Sequence, residues 1–121
     1  MLKPVVVVGG GGHTAVLVDM LRQLNRPILA IVCPYIDRSR HVLLGIKHLL
    51  KDEDVLAYGC EDIELVNGIG SVPGSSLRME LFKHFKVLGY NFSVVVSPYA
   101  VVSPFAKLSE GVQVMPGAVI Q

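Results

Sequence analysis

The residues best placed to do chemistry come early. Gly10-Gly11-Gly12-His13-Thr14-Ala15 follows four consecutive valines and fits the spacing G-x-G-x-x-A. Glycine permits a tight strand-to-helix turn and lets the backbone approach a ligand closely. The helix start behind it offers free N–H groups and a favourable dipole to an anion, so the chemistry implied is phosphate binding. Dinucleotide sites of this type also use an acidic residue about 20 positions on, which meets a ribose hydroxyl. Asp37 is the candidate, somewhat late. A non-catalytic NAD-type module is therefore one reading of these residues, and a tight turn with no ligand is another. At the start of a helix the dipole works against a cation, so His13 is expected as a neutral imidazole that donates or accepts a hydrogen bond. His41, His48 and His84 have no partner pattern and read as surface or core residues.

These groups need elements to carry them. Residues 4–8 read as a short buried strand. Val16, Leu17, Met20, Leu21 and Leu24 recur at helical spacing, and Asn25 with Pro27 closes that helix. Residues 28–33 form a second strand and 63–69 a third. Between them, Asp52 is a candidate cap for a short helix that stops at Gly59. Leu77, Leu81, Phe82, Phe85 and Leu88 mark a second long helix, capped by Ser75 or Ser76 and ended by Gly89. Residues 92–96 read as a fourth strand. Alternating strands and helices with short connections imply parallel βαβ crossovers. Ligands of such sheets sit outside the carboxyl ends of the strands. The loops 9–14, 34–38 and 68–72 should therefore converge on one crevice.

Composition is consistent with that architecture. The 121 residues are 51% apolar and 17% charged, with a net charge of +1. Parallel strands buried on both faces account for the apolar excess. No run approaches the roughly 18–20 apolar residues of a spanning helix, and the N-terminus is too short and too quickly interrupted for a signal-peptide core. No basic stripe suggests nucleic acid. Cys33 and Cys60 lack metal-ligand spacing, and no metal site is expected. They read as reduced thiols of a cytoplasmic protein, Cys33 as a small core residue.

The last 26 residues follow another rule. Val96, Val102, Leu108, Val114 and Ile120 share one phase of a six-residue period, and Ala100, Ala106, Val112 and Ala118 share the phase four later. This is a hexapeptide β-helix repeat, in which each step forms one side of a triangular prism, with aliphatic residues inward and small ones at the tight corners. Alternating strands, with period two, do not explain it. Three steps make one coil, so about one and a half coils are present. Repeat stacks need several units and a cap, so the chain is expected to be a piece of a longer protein. Its final ~20 residues should be poorly packed or should borrow a neighbour's edge.

A small α/β unit that opens with glycines and histidine and runs into hexapeptide repeats resembles a known family. It is similar to the bacterial sugar acyltransferases related to sialic acid O-acetyltransferase and the UDP-amino-sugar N-acetyltransferases. The residues that carry the likeness are 9–13, Asp37, Gly68-Ile69-Gly70, Arg78, Gly89-Tyr90-Asn91-Phe92 and the repeats. The resemblance implies a small Rossmann-like parallel sheet of about four strands with flanking helices over residues 1–95. The start of a truncated left-handed hexapeptide β-helix follows over 96–121. It implies nucleotide-sugar binding by Gly10, Gly11, Gly12, His13, Asp37, Arg38, Gly68 and Gly70. It also implies an acetyl-CoA-dependent acetyltransferase of glycan or surface-polysaccharide synthesis that works as a homotrimer. The family's general-base histidine and its acetyl-CoA site are expected beyond Gln121, so these residues should bind without catalysing. Ser97-Pro98 departs from the usual histidine-proline. A purely structural, assembly-forming protein is a further alternative, which leaves the glycine loops unexplained.

Overall fold

The computed structural model describes residues 2–121. Strands β1 (Val5–Val8), β2 (Ile28–Val32), β3 (Lys47–Leu49) and β4 (Glu64–Asn67) form one sheet in the order β3-β2-β1-β4, all pairs parallel. The chain steps outward from β1 to β3, then returns to place β4 on β1's other side. That reversal is where an open α/β sheet leaves a crevice.

The four valines of β1 are 0–3% exposed because both faces of the sheet are covered. Val5 and Val7 face helix α1 (Gly12–Gln23), packing with Leu17, Val18 and Leu21. Val6 and Val8 face the other way, toward Leu81 and Phe85 of helix α2 (Leu77–Val87) and Val55 of a 3-10 turn over Asp52–Ala57. α1 ends as its sequence predicts. Asn25 takes the left-handed φ of 54°, which a short polar side chain tolerates, and its N–H bonds to the Arg22 carbonyl at 3.0 Å. Below the amino ends of the strands, buried Arg26 pairs with Glu64 at 2.8 Å and bonds to the Lys3 carbonyl and the Ser93 hydroxyl.

Two elements differ from expectation. The fourth strand of the sheet is β3, and it is not residues 92–96. β3 is a three-residue edge strand of lysine, histidine and leucine, too short and polar to show a period. Phe92 makes only an isolated parallel bridge to Leu65, after which Val95–Val96 leaves the sheet as β5. The short helix after Lys51 is a 3-10 turn. It starts one residue earlier than expected, where the Asp54 carboxylate accepts the Lys51 N–H at 3.1 Å.

β5 pairs in parallel with β7 (Gln113–Val114), and β6 (Val101–Val102) with β8 (Val119–Ile120). Val95 meets Gln113 and Val101 meets Val119, each partner 18 residues ahead. Eighteen is three six-residue steps, so the segment winds as a coil whose second pass lies on its first. Of the phased aliphatic residues Val114 is buried, while Val96, Val102, Leu108 and Ile120 are half-buried. Val95 packs against the α1 side of the core, and Met115 packs against the same cluster.

Candidate functional site

A crevice of about 820 Å³ opens at the carboxyl ends of the strands. Gly10, Gly11, Gly12, His13, Asp37, Gly68 and Gly70 all line it, together with Tyr35, Arg40 and Asp52. The three loops read from the sequence thus meet at one place. Arg38 is exposed and is not among the lining residues, whereas Arg40 is.

The glycines divide into two groups. Those at the base are fixed by packing. A Cβ on Gly68 would fall 2.0 Å from the Thr14 hydroxyl oxygen and 2.8 Å from the Val8 carbonyl oxygen. A Cβ on Gly10 would fall 2.5 Å from Cys33 Sγ and 2.8 Å from the Tyr35 carbonyl oxygen. Gly9 has φ 121°, a conformation suited to glycine. Thr14, fully buried, locks this base: its hydroxyl reaches the Gly9 carbonyl at 2.7 Å and the Gly68 carbonyl at 3.2 Å. Gly11 and Gly12 are different. Neither has positive φ, a Cβ on Gly11 would touch nothing, and one on Gly12 would meet only Arg40 Nη2 at 3.8 Å. The fold does not require glycine at either position.

Gly11 is the N-cap of α1 and brings no capping side chain, and the first turn holds no acidic residue. The first-turn N–H groups of a helix have no partner within it. They face a place where Arg40 adds a guanidinium, and that combination suits an anion. Asp37 is turned back on its own loop. Its Oδ1 accepts the Ser39 hydroxyl at 2.6 Å and the Ser39 N–H at 3.0 Å, and these bonds hold its carboxyl below the usual range. Arg40 Nε lies 3.7 Å from Asp37 Oδ2. Burial pushes the Cys33 thiol up, which makes it a poor nucleophile at neutral pH. Among the described residues no group of three or more His, Cys, Asp or Glu side chains is arranged to hold a metal ion.

His13 stands where the crevice meets a second cleft of about 450 Å³, between the sheet and the coil, walled by Ser71, Arg78, Glu110 and Gln113. Arg78 donates to the Ile69 carbonyl at 2.5 Å and the Asn67 carbonyl at 3.3 Å. It forms no salt bridge among the described residues, and burial lowers the pKa of its guanidinium. Glu110 fastens the coil to the α/β unit, accepting the Phe92 N–H at 2.9 Å and Lys86 Nζ at 3.0 Å. Arg40 and Gln113 were not found from sequence. Arg40 lies three residues past Asp37, just beyond the loop 34–38, whereas Gln113 gives no signal, being one polar residue in a repeat.

No protein-family model matches the chain. Solved structures do. PerB from Caulobacter crescentus, in complex with CoA and GDP-perosamine, shares 31% identity at a TM-score of 0.81, covering 100% of this chain and 55% of its own. A mutant of perosamine N-acetyltransferase from the same organism shares 29% at 0.80, over 100% of this chain and 55% of that one. The acetyltransferase domain of PglB from Neisseria gonorrhoeae FA1090, in complex with acetyl coenzyme A, has the same fold. Its TM-score is 0.82 at 22% identity, over 98% of this chain and 56% of its own. The matches to PerB and perosamine N-acetyltransferase agree with the bacterial sugar N-acetyltransferase family that the sequence resembles. The chain spans about 55% of the length of these relatives. No helix among the described residues is long and apolar enough to cross a membrane.

Proposed function

We propose that this chain is the nucleotide-sugar-binding portion of an acetyl-CoA-dependent sugar acetyltransferase. The observation that carries the reading is the open turn at Gly11 and Gly12. Glycine there serves no packing need, lies at an uncapped helix start beside Arg40, and faces a crevice large enough for a nucleotide. In this reading the phosphates lie on the α1 N-terminus and Arg40. Gly10, Gly68 and Gly70 keep the floor flat, and Asp37 offers Oδ2 to a base or ribose donor. The Rossmann-like unit of residues 1–95 holds the nucleotide, and residues 96–121 open a left-handed β-helix.

PerB, with 31% identity, was solved with a nucleotide-sugar and CoA together, which supports the same pairing of ligands here. Acetyl transfer to a sugar amine needs a base to take the proton as nitrogen attacks the thioester, and donors for the oxyanion. In this reading those groups and the acetyl-CoA contacts belong to the trimeric whole protein, and residues 1–121 bind without transferring. Calorimetric titration with UDP and GDP, with NAD as control, tests it. Saturable binding of UDP or GDP is expected. Binding of NAD alone would replace this reading with the dinucleotide one, and binding of none would return the glycine turn to a purely structural role.

A further inference from the structure

Gln113 makes two hydrogen bonds that together decide the state of His13. Its amide nitrogen is 2.8 Å from the Asn67 carbonyl oxygen, and its amide oxygen is 2.7 Å from His13 Nε2. A carbonyl only accepts, so the amide must present its nitrogen to Asn67 and its oxygen to His13. An amide oxygen also only accepts, so His13 Nε2 must carry a hydrogen. In the neutral ring Nδ1 is then the acceptor. Nδ1 has no partner among the described residues.

The device is braced on both sides. Asn67 is 5% exposed, donates from its amide to the Arg78 carbonyl, and accepts the Ile69 N–H, both at 3.1 Å. Gln113 is held by the coil, where β7 pairs with β5. His13 lies at the second position of α1. His13 lines both the crevice and the cleft beside the coil. We infer that Gln113 is a positioning residue, which holds His13 as the Nε2–H tautomer so that Nδ1 accepts a hydrogen bond from a hydroxyl or amino group of a ligand reaching from the crevice into the cleft. The tautomer follows from the hydrogen bonds alone, while the ligand rests on the proposed function.

A double-mutant cycle tests it, read by titration with UDP-N-acetylglucosamine and GDP-mannose against UDP and GDP. Gln113→Leu and His13→Phe should each weaken nucleotide-sugar binding roughly three- to tenfold, the range of one neutral hydrogen bond. The double variant should lose no more than either alone. Gln113→Glu keeps an acceptor for Nε2–H but turns a carboxylate, which cannot donate, on the Asn67 carbonyl, so it should not recover the loss. Long-range proton–nitrogen NMR of the free chain should show a slowly exchanging Nε2–H on His13 that Gln113→Leu removes. Multiplicative losses in the cycle, or a ring protonated at Nδ1 alone, would overturn the inference while leaving the proposed function intact. An Nε2–H signal with no binding of any of the four probes would defeat the proposed function, and with it the ligand assigned to Nδ1.

Discussion

The two groups of glycines predict opposite behaviour for one added methyl group. Gly68→Ala places Cβ 2.0 Å from the Thr14 oxygen and 2.8 Å from the Val8 carbonyl oxygen, where both neighbours are buried. Overpacking of this kind costs about 1–3 kcal/mol. Displacing the Thr14 hydroxyl from the Gly9 and Gly68 carbonyls adds about 1–3 kcal/mol for a buried group left unpaired. The sum, about 2–6 kcal/mol, is a large share of the roughly 5–15 kcal/mol that holds a domain together. Gly12→Ala meets nothing nearer than Arg40 Nη2 at 3.8 Å and replaces a glycine that begins α1. Its effect on stability should be neutral or a gain of up to about 0.5 kcal/mol, since glycine is the poorer helix residue. Binding should go the other way. If the new methyl group displaces one N–H···phosphate contact, the loss is about 1.5–3 kcal/mol, the scale of a hydrogen bond to a charged group. That is roughly 10- to 150-fold in affinity. Urea denaturation reads the first quantity, and calorimetry with UDP or GDP reads the second. A Gly12→Ala protein that is fully stable and binds as tightly as the parent would refute the placement of the ligand on this turn.

Other perturbations separate the crevice from its supports. Asp37→Ala should loosen the Ser39 turn and weaken nucleotide binding, and Asp37→Asn should do less harm because its amide oxygen can still serve Ser39; parental affinity in both variants by titration would remove Asp37 from the site. For Glu110, burial pushes the carboxyl up, but the Phe92 N–H and Lys86 outweigh it and hold it below the usual range. A depressed carboxyl adds stability above its unfolded pKa of about 4.3, which is lost as pH falls through the folded value. Melting curves should therefore show Glu110→Gln less stable than the parent at pH 7, with the gap closing in acid below about pH 4. Glu64→Gln leaves the buried Arg26 guanidinium without its counter-charge. It should cost about 2 kcal/mol by urea denaturation, discounted because Glu64 is partly exposed. It should not change nucleotide affinity, since this pair lies at the amino ends of the strands.

Much of this was legible because it follows from local rules. Four valines before glycines state a strand buried on both faces, and β1 is one. A six-residue period states a coil, and the 18-residue pairing offset is its direct consequence. The failures fall where position depends on distant partners. β3 is a strand because β2 offers it an edge, not because Lys47, His48 and Leu49 favour one. Residues 92–96 read as a strand of the sheet, but the coil claims Val95 and Val96 through residues 18 positions later. Likewise, no local pattern tells that Gly10 and Gly68 serve packing while Gly11 and Gly12 do not. That distinction depends on Cys33, Tyr35 and Thr14 arriving from elsewhere.

The bond between His13 and Gln113 spans 100 residues. On a ribosome the glycine turn and the first helix emerge long before their last neighbour is synthesised. The sheet, whose partners all lie within the first 67 residues, can form on its own schedule. His13 must wait until the coil has come round once and laid Gln113 against Asn67. Because long-range contacts close late, the wall between crevice and cleft should be among the last parts of the molecule to set. A nascent chain would then pass through a stage in which the glycine-turn end of the crevice is built and its histidine still turns freely.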